Sequence, residues 1–328
     1  MSRKRFKFFS ATTMFVFGLS VAQAQRSPEI PRVGILISES GRSETQSIKG
    51  LRDGLKELGY KEKENILVEI RDAKGDPGAL KPMVHGLVDK KVDLIFTTGT
   101  RSTEAAIAAT DKIPIVFRYR GNPQTVGLVK SNTRPGGNVT GVAGFGLEMT
   151  AKRIETLRQI VPGVRRLHIF YDPNDRFSRG NLAVAKDSAQ KLGLEVSEHG
   201  TKSAEELKTA FDKLEKKPGD ALFHVPDNLV EGEADFIFRI ARQKKLPTMF
   251  DEEAWVIRGA LGAYGPSHYQ MGRQAAGFVD KILKGQKPEN LPVETSSKYD
   301  LAINFRTANA IGLTIPPDVL KKADRVIR

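Results

Sequence analysis

From Arg32 onward the chain alternates short apolar runs with amphipathic stretches of helical period, and it does so twice. The first series reads RVGILIS (32–38), SETQSIKGLRDGLKELGY (43–60), NILVEIRD (65–72), ALKPMVHGLVDKK (79–91), VDLIFTTG (92–99), STEAAIAATD (102–111) and IPIVFRY (113–119). The apolar runs have the roughly four-to-eight-residue length of buried strands. In 43–60, Ile48, Leu51, Leu55 and Leu58 share one helical face, with Ser43 and Gln46 in capping-box spacing. After a break at RPGGNVTGVAGFG (134–146) the pattern restarts with a helix at 148–162 and a strand with its exit turn at 165–175. A helix at 177–193, a strand at 194–200 and a helix at 203–217 follow, then a strand and exit at 220–228, a helix at 230–245 and a strand at 246–251. Successive β-α-β units are built as parallel sheets with helices on both faces, so the expected class is α/β with two doubly wound parallel-sheet lobes.

The N-terminus is different in kind. Arg3, Lys4, Arg5 and Lys7 precede an apolar run from Phe8 to Val21, followed by Ala22-Gln23-Ala24. This is the pattern of a secretory signal peptide, with cleavage expected after about Ala24. The run is short of the roughly 20 residues a membrane span needs, so no stable membrane insertion is expected after cleavage. The chain has no cysteine, which excludes disulfides and the lipidated cysteine of a lipoprotein; a free periplasmic protein, monomeric, is the expectation. Of the formal net charge of +13, four charges lie in the leader, leaving +9. Basic residues are interleaved with acids, as in KELGYKEKE (56–64), which describes a solvated surface and argues against nucleic acid as a partner.

In open parallel sheets, ligands bind beyond the carboxyl ends of the strands, where helix N-termini also point. That rule selects the candidate residues. In the first lobe they are Ser38 and Ser40, then Thr98, Gly99 and Thr100, then Arg118, Arg120 and Asn122. In the second they are Tyr171, Asp175, Asp227, Asn228 and Asp251, with Glu252 alongside. Arg118 and Arg120 fall on one face of their strand and Phe117 and Tyr119 on the other; which arginine faces a cleft is left open. A guanidinium can clamp a carboxylate bidentately, the Thr98–Thr100 backbone can favour an anion, and the second-lobe acids can receive an ammonium. Phe145, Tyr171 and Tyr264 could stack on a flat ligand, and Trp255 could serve as lid or core. Salt bridging, helix capping and turn formation explain the same residue types without a ligand.

PIVFRYRGNPQTVGLVKSNTRPGGNVTGV (114–142), RVGILIS near the start and the tail AINFRTANAIGLTIPPDVLKKADRVI (302–327) resemble the substrate-binding proteins of ABC transporters, in the group with tryptophan- and tyrosine-binding members. The resemblance covers essentially the whole chain after the leader. It implies a type I periplasmic-binding-protein fold whose lobes, joined by crossover strands, close on a small molecule, with a permease and an ATPase as partners. A first lobe at 28–145, completed by about 266–285, and a second at 146–265, completed by about 290–328, are expected. Where relatives usually show Asp-Pro-Val after strand four, this chain has Arg118, Arg120 and Asn122-Pro123-Gln124, which points to an anionic or zwitterionic organic solute.

Catalysis finds no support. Histidines 85, 168, 199, 224 and 268 show no HExxH or clustered ligand spacing, no G-x-S-x-G elbow occurs, and no Walker-type phosphate loop exists. The expectation is a solute receptor without cofactor rather than an enzyme. A periplasmic sensor module feeding a kinase or chemoreceptor is the alternative, and a secreted α/β hydrolase a more distant one.

Overall fold

The computed structural model describes residues 30–38, 41–144 and 147–328. The leader, Ser40 and Phe145 lie outside the described residues. The first sheet is built from β1 (Arg32–Ile37), β2 (Leu67–Asp72), β3 (Leu94–Thr98), β4 (Ile115–Tyr119) and β5 (Val139–Ala143). They are separated by α1 (Arg42–Glu57), α2 (Pro77–Asp89) and α3 (Thr100–Ala109). After α4 (Leu147–Ile160), the second sheet takes β6 (Arg166–Tyr171), β7 (Glu195–Gly200), β8 (Asp220–Phe223), β9 (Thr248–Phe250) and β10 (Gly262–Pro266). Its helices are α5 (Arg176–Lys191), α6 (Ala204–Lys213), α7 (Asn228–Gly232), α8 (Ala234–Gln243) and α9 (Glu253–Arg258). The chain then returns through α10 (His268–Leu283), adds β11 (Glu294–Thr295) to the first sheet, and ends with β12 (Tyr299–Asn304) and β13 (Arg325–Ile327) in the second.

Strand order is β11-β5-β4-β3-β1-β2 in the first sheet and β13-β12-β10-β9-β8-β6-β7 in the second. Both are doubly wound, and the winding reverses between β1 and β3 and between β6 and β8. The β-α-β pattern therefore reports the architecture correctly, with four local differences. The segment read as a break contains β5, a parallel neighbour of β4. The second sheet is not wholly parallel, because β10 and β12 run antiparallel. The helix expected at 230–245 is two, α7 and α8, since Asp227 caps a first helix that ends at Gly232. The N-cap of α1 is Gly41 rather than Ser43, which falls inside the helix.

Each sheet has an apolar layer on both faces. Val33, Ile35, Phe96 and Val116 pack under α1 and α10, while Leu36, Ile95, Ile115 and Phe117 pack under α2 and α3. The α1–α10 contact is backbone to backbone. A Cβ on Gly50 would stand 1.9 Å from the carbonyl oxygen of Tyr269, and one on Gly272 would stand 2.0 Å from that of Ser47. Contacts advance together along both helices, which are therefore parallel and bring their N-termini to the same end of the sheet. The register fixes a second consequence. Thr98 is paired with Arg118, and both share the face of Phe96 and Val116.

Candidate functional site

The exits of the two sheets meet at an ion cluster. Arg120 lies one residue beyond β4; its Nη2 donates to Glu231 of α7 at 2.7 Å, and its Nη1 approaches Glu252 at 3.4 Å and Asp251 at 3.6 Å. Glu231 belongs to α7 and Asp251 and Glu252 to the link from β9 to α9, all at the exits of the second sheet, so this guanidinium spans the gap between the sheets. Behind it, His224 Nδ1 stands 3.3 Å from Asp251, and His268, the first residue of α10, stands 3.4 Å from Glu252. Arg153 of α4 donates to the His224 carbonyl at 2.9 Å and stacks on Phe223.

The electrostatics follow from counting. Arg120 and Arg153, joined by His224 and His268 when these are protonated, face Glu231, Asp251 and Glu252, so the charge balance of the cluster turns on the two imidazoles. Burial by itself would lower Arg120, but Glu231, Asp251 and Glu252 outweigh it and raise its affinity for the proton. Burial opposes ionisation of Asp251, yet Arg120 and His224 hold it well below the usual carboxylate range. Glu252 likewise is drawn down to about 2 by His268 and Arg120 against its burial. Glu231 goes the other way: burial pushes its carboxyl up, and Arg120 offsets this only in part.

At the first-sheet edge, Ser38 Oγ donates to the Thr98 carbonyl at 3.4 Å, joining the exits of β1 and β3 at the switch point. Gly99, with φ +87°, turns the chain into α3, a conformation that disfavours other residues. Its N–H donates to the Arg118 carbonyl at 2.9 Å. The helix begins at Thr100, which hydrogen bonds with Tyr119, rather than near Ser102. Arg118 is 3% exposed and donates to Glu44 of α1 at 2.9 Å. Thr98 is 1% exposed, and neither its hydroxyl nor Arg118 Nε has a hydrogen-bond partner.

The remaining candidates divide. Asp251 is in the cluster. Asp227 is saturated by protein donors: it accepts from Asp172 N at 2.7 Å, from Val230 N at 3.0 Å and from Ser178 Oγ. Asn228 is exposed at the start of α7, and Asn122 accepts from Gln124 N and Asn132, as a turn residue does. Asp175 accepts from Arg179 N through its carbonyl. Tyr171 packs on the second-sheet core and lines a groove with Arg179, Leu182 and Lys186. Tyr264 stacks on Tyr299 with centroids 6.2 Å apart. Trp255 packs against Phe250 and His224. Sequence reasoning missed Glu231, Arg153, His224 and His268. Two of them carried a signal: His224 directly follows β8, and Glu231 lies one helical turn after the Asp227 cap.

A cavity of about 60 Å³ adjoins the cluster, lined by Gln46 of α1, Asp251, Glu252, Pro266 and His268. Among the described residues, no group of three or more His, Asp or Glu side chains could hold a metal ion, and no helix is long and apolar enough to cross a membrane.

Comparison with known proteins identifies the family. The profile of a family described as ABC transporter substrate binding protein matches residues 32–327. A tyrosine-binding protein of Clostridioides difficile (strain R20291) is 30% identical over 265 residues, 81% of this chain and 76% of that protein. The ligand-free, open structure of a substrate-binding protein with adhesive properties from Clostridium difficile superposes with a TM-score of 0.78 at 28% identity, covering 91% of this chain and 99% of that one. An ABC domain in complex with L-Trp from Streptococcus pneumonia gives 0.76 at 27% identity, covering 90% and 99%. The structural neighbours are type I periplasmic binding proteins, and the family and these relatives are substrate-binding proteins, not enzymes. The chain belongs to the ABC transporter substrate-binding protein family.

Proposed function

We propose that this protein is the exported, periplasmic receptor of an ABC importer, released by cleavage of its leader after about Ala24, and that it captures a zwitterionic amino-acid-class solute between two lobes. The lobes are 28–145 with about 266–285, and 146–265 with most of the chain after about 290; β11 stays with the first. The observation that carries the reading is the Arg120–Glu231 contact, which joins the carboxyl-end edges of the two sheets with charges of both signs. Two relatives, a tyrosine-binding protein and an ABC domain in complex with L-Trp, support the amino-acid class. A ligand bridging both edges favours the closed state by its differential affinity, and the permease and ATPase would receive the closed form.

The structure changes the argument about charge. Arg118 near the end of β4 and Arg120 just beyond it already have carboxylate partners, so a purely anionic solute loses the support that two unpaired cations would have lent it. The test is a thermal-shift screen of the leader-free protein against the L-amino acids, aromatic acids and dicarboxylates, since a ligand that binds only the folded form raises Tm. An amino-acid hit is expected. A screen in which only dicarboxylates act, or none of the compounds does, would reject the reading.

A further inference from the structure

At the outer edge of the second sheet, on the face that packs under α6, two imidazoles meet a hydroxyl, and none of the three belongs to the ion cluster. His168 on β6 pairs in register with Ser197 on β7, and His199, two residues on, returns to the same face. His168 Nδ1 stands 3.0 Å from His199 Nε2, and Ser197 Oγ stands 3.2 Å from that same nitrogen. Around a tetrahedral zinc ion, with bonds of about 2.0–2.1 Å to nitrogen, ligand atoms lie about 3.3 Å apart. These donors are within about 0.3 Å of that spacing already.

Both rings are aimed by their neighbours. Phe170 stacks on His199 with centroids 4.4 Å apart. His168 Nε2 stands 3.1 Å from Asp220 Oδ2, without the alignment of a hydrogen bond, and Asp220 is itself held by Arg166 Nη2 and Lys217 N, each at 2.7 Å. A carboxylate beside Nε2 keeps the proton of His168 there and leaves Nδ1 a lone pair toward His199, as in carboxylate–histidine–metal sites. In the protein alone, His199 Nε2 must then carry the one proton between the rings, and Ser197 Oγ is left over. A metal ion in place of that proton would engage all three atoms.

We propose that His168 Nδ1, His199 Nε2 and Ser197 Oγ form a site for a divalent transition metal of the zinc class, with water as the fourth ligand. The site needs no third histidine or carboxylate. On binding, the proton of His199 moves from Nε2 to Nδ1, and both imidazoles ligate as neutral rings. His168 is 5% exposed, whereas Ser197 and His199 are half-buried and leave a path of entry. Because β7 is the outer strand and pairs with β6, the ion ties down the edge of the sheet.

The probe is zinc chloride, titrated calorimetrically into the leader-free protein prepared without a polyhistidine tag. Saturable binding of one ion per chain is expected. His199→Gln should weaken it at least tenfold, Ser197→Ala should weaken it too, and His85→Gln, on the exposed face of α2, should leave it unchanged. A second measurement needs no variant: in NMR spectra of isotopically labelled histidine side chains, zinc should shift Nδ1 of one ring and Nε2 of another. Absence of saturable binding, wild-type affinity in His199→Gln or Ser197→Ala, or ligation through two Nε2 atoms would each overturn the site. If His199→Gln does not fold, the ligation pattern in wild type decides.

Discussion

Arg118 and Glu44 form an ion pair within the first lobe, 2.9 Å long, with 4% of the arginine side chain exposed and 20% of the glutamate. The pair ties the end of β4 to the first turn of α1. Removing the arginine leaves an acid partly buried without its cation, and for fully buried pairs that loss is about 3–5 kcal/mol. Glu44 is better solvated, and its place in the first turn of α1 is favourable for an anion, so Arg118→Ala should cost about 2 kcal/mol in urea denaturation. Unchanged stability would remove the structural role of the pair.

Two glycines of α10 should respond to alanine with opposite sign. Alanine is favoured over glycine in a helix by about 1 kcal/mol, and at Gly277, where an added Cβ meets nothing within 4 Å, that gain should appear in full. At Gly272 the same methyl would stand 2.0 Å from the Ser47 carbonyl oxygen and 2.9 Å from Leu51 N. The helices must separate, at a cost of about 2 kcal/mol or more. Thermal unfolding of the two variants side by side checks this; a stabilised Gly272→Ala would refute the close approach of α1 and α10.

Acid sensitivity should trace to His199. Its ring stacks on Phe170 and shares a 3.0 Å contact with His168; burial and then His168 push it down to about 4 from an ordinary value of 6.5. Between those values the unfolded chain binds the proton and the folded chain does not, so stability falls as pH drops from about 6.5 to 4. Allowing for its partial exposure, the loss is about 1–2 kcal/mol. Glu252 acts only below its ordinary 4.5, outside a comparison of pH 7 with pH 5. Glu231, which is raised, works in the opposite sense and cancels when wild type is compared with His199→Gln. Urea midpoints should converge between the two proteins at the lower pH; parallel curves would exclude His199 as the source.

The parts of the fold legible in the sequence were those set by local period. Strands β1 to β4 and β6 to β9, and the helices between them, follow from apolar runs bounded by turns, because a strand or helix face is a property of neighbouring residues. Strand β5, VTGVA, was hidden because its glycine and small side chains resemble a loop, and pairing with β4 decides its state. Strand β10, GAYGP, likewise has little strand propensity and is held by β9 and β12. The start of α7 follows from Asp227 accepting from three protein donors, a use that sequence cannot separate from ligand contact.

The sequence by itself determined which residues stand at the carboxyl edges of two wound sheets, since that depends only on the order of strand, turn and helix. The tertiary structure alone decided what those residues face. Arg118 finds its acid 74 positions away and Arg120 finds its own 111 positions away. Charge balance in a cleft is a sum over such distant partners, and no periodicity along the chain encodes it.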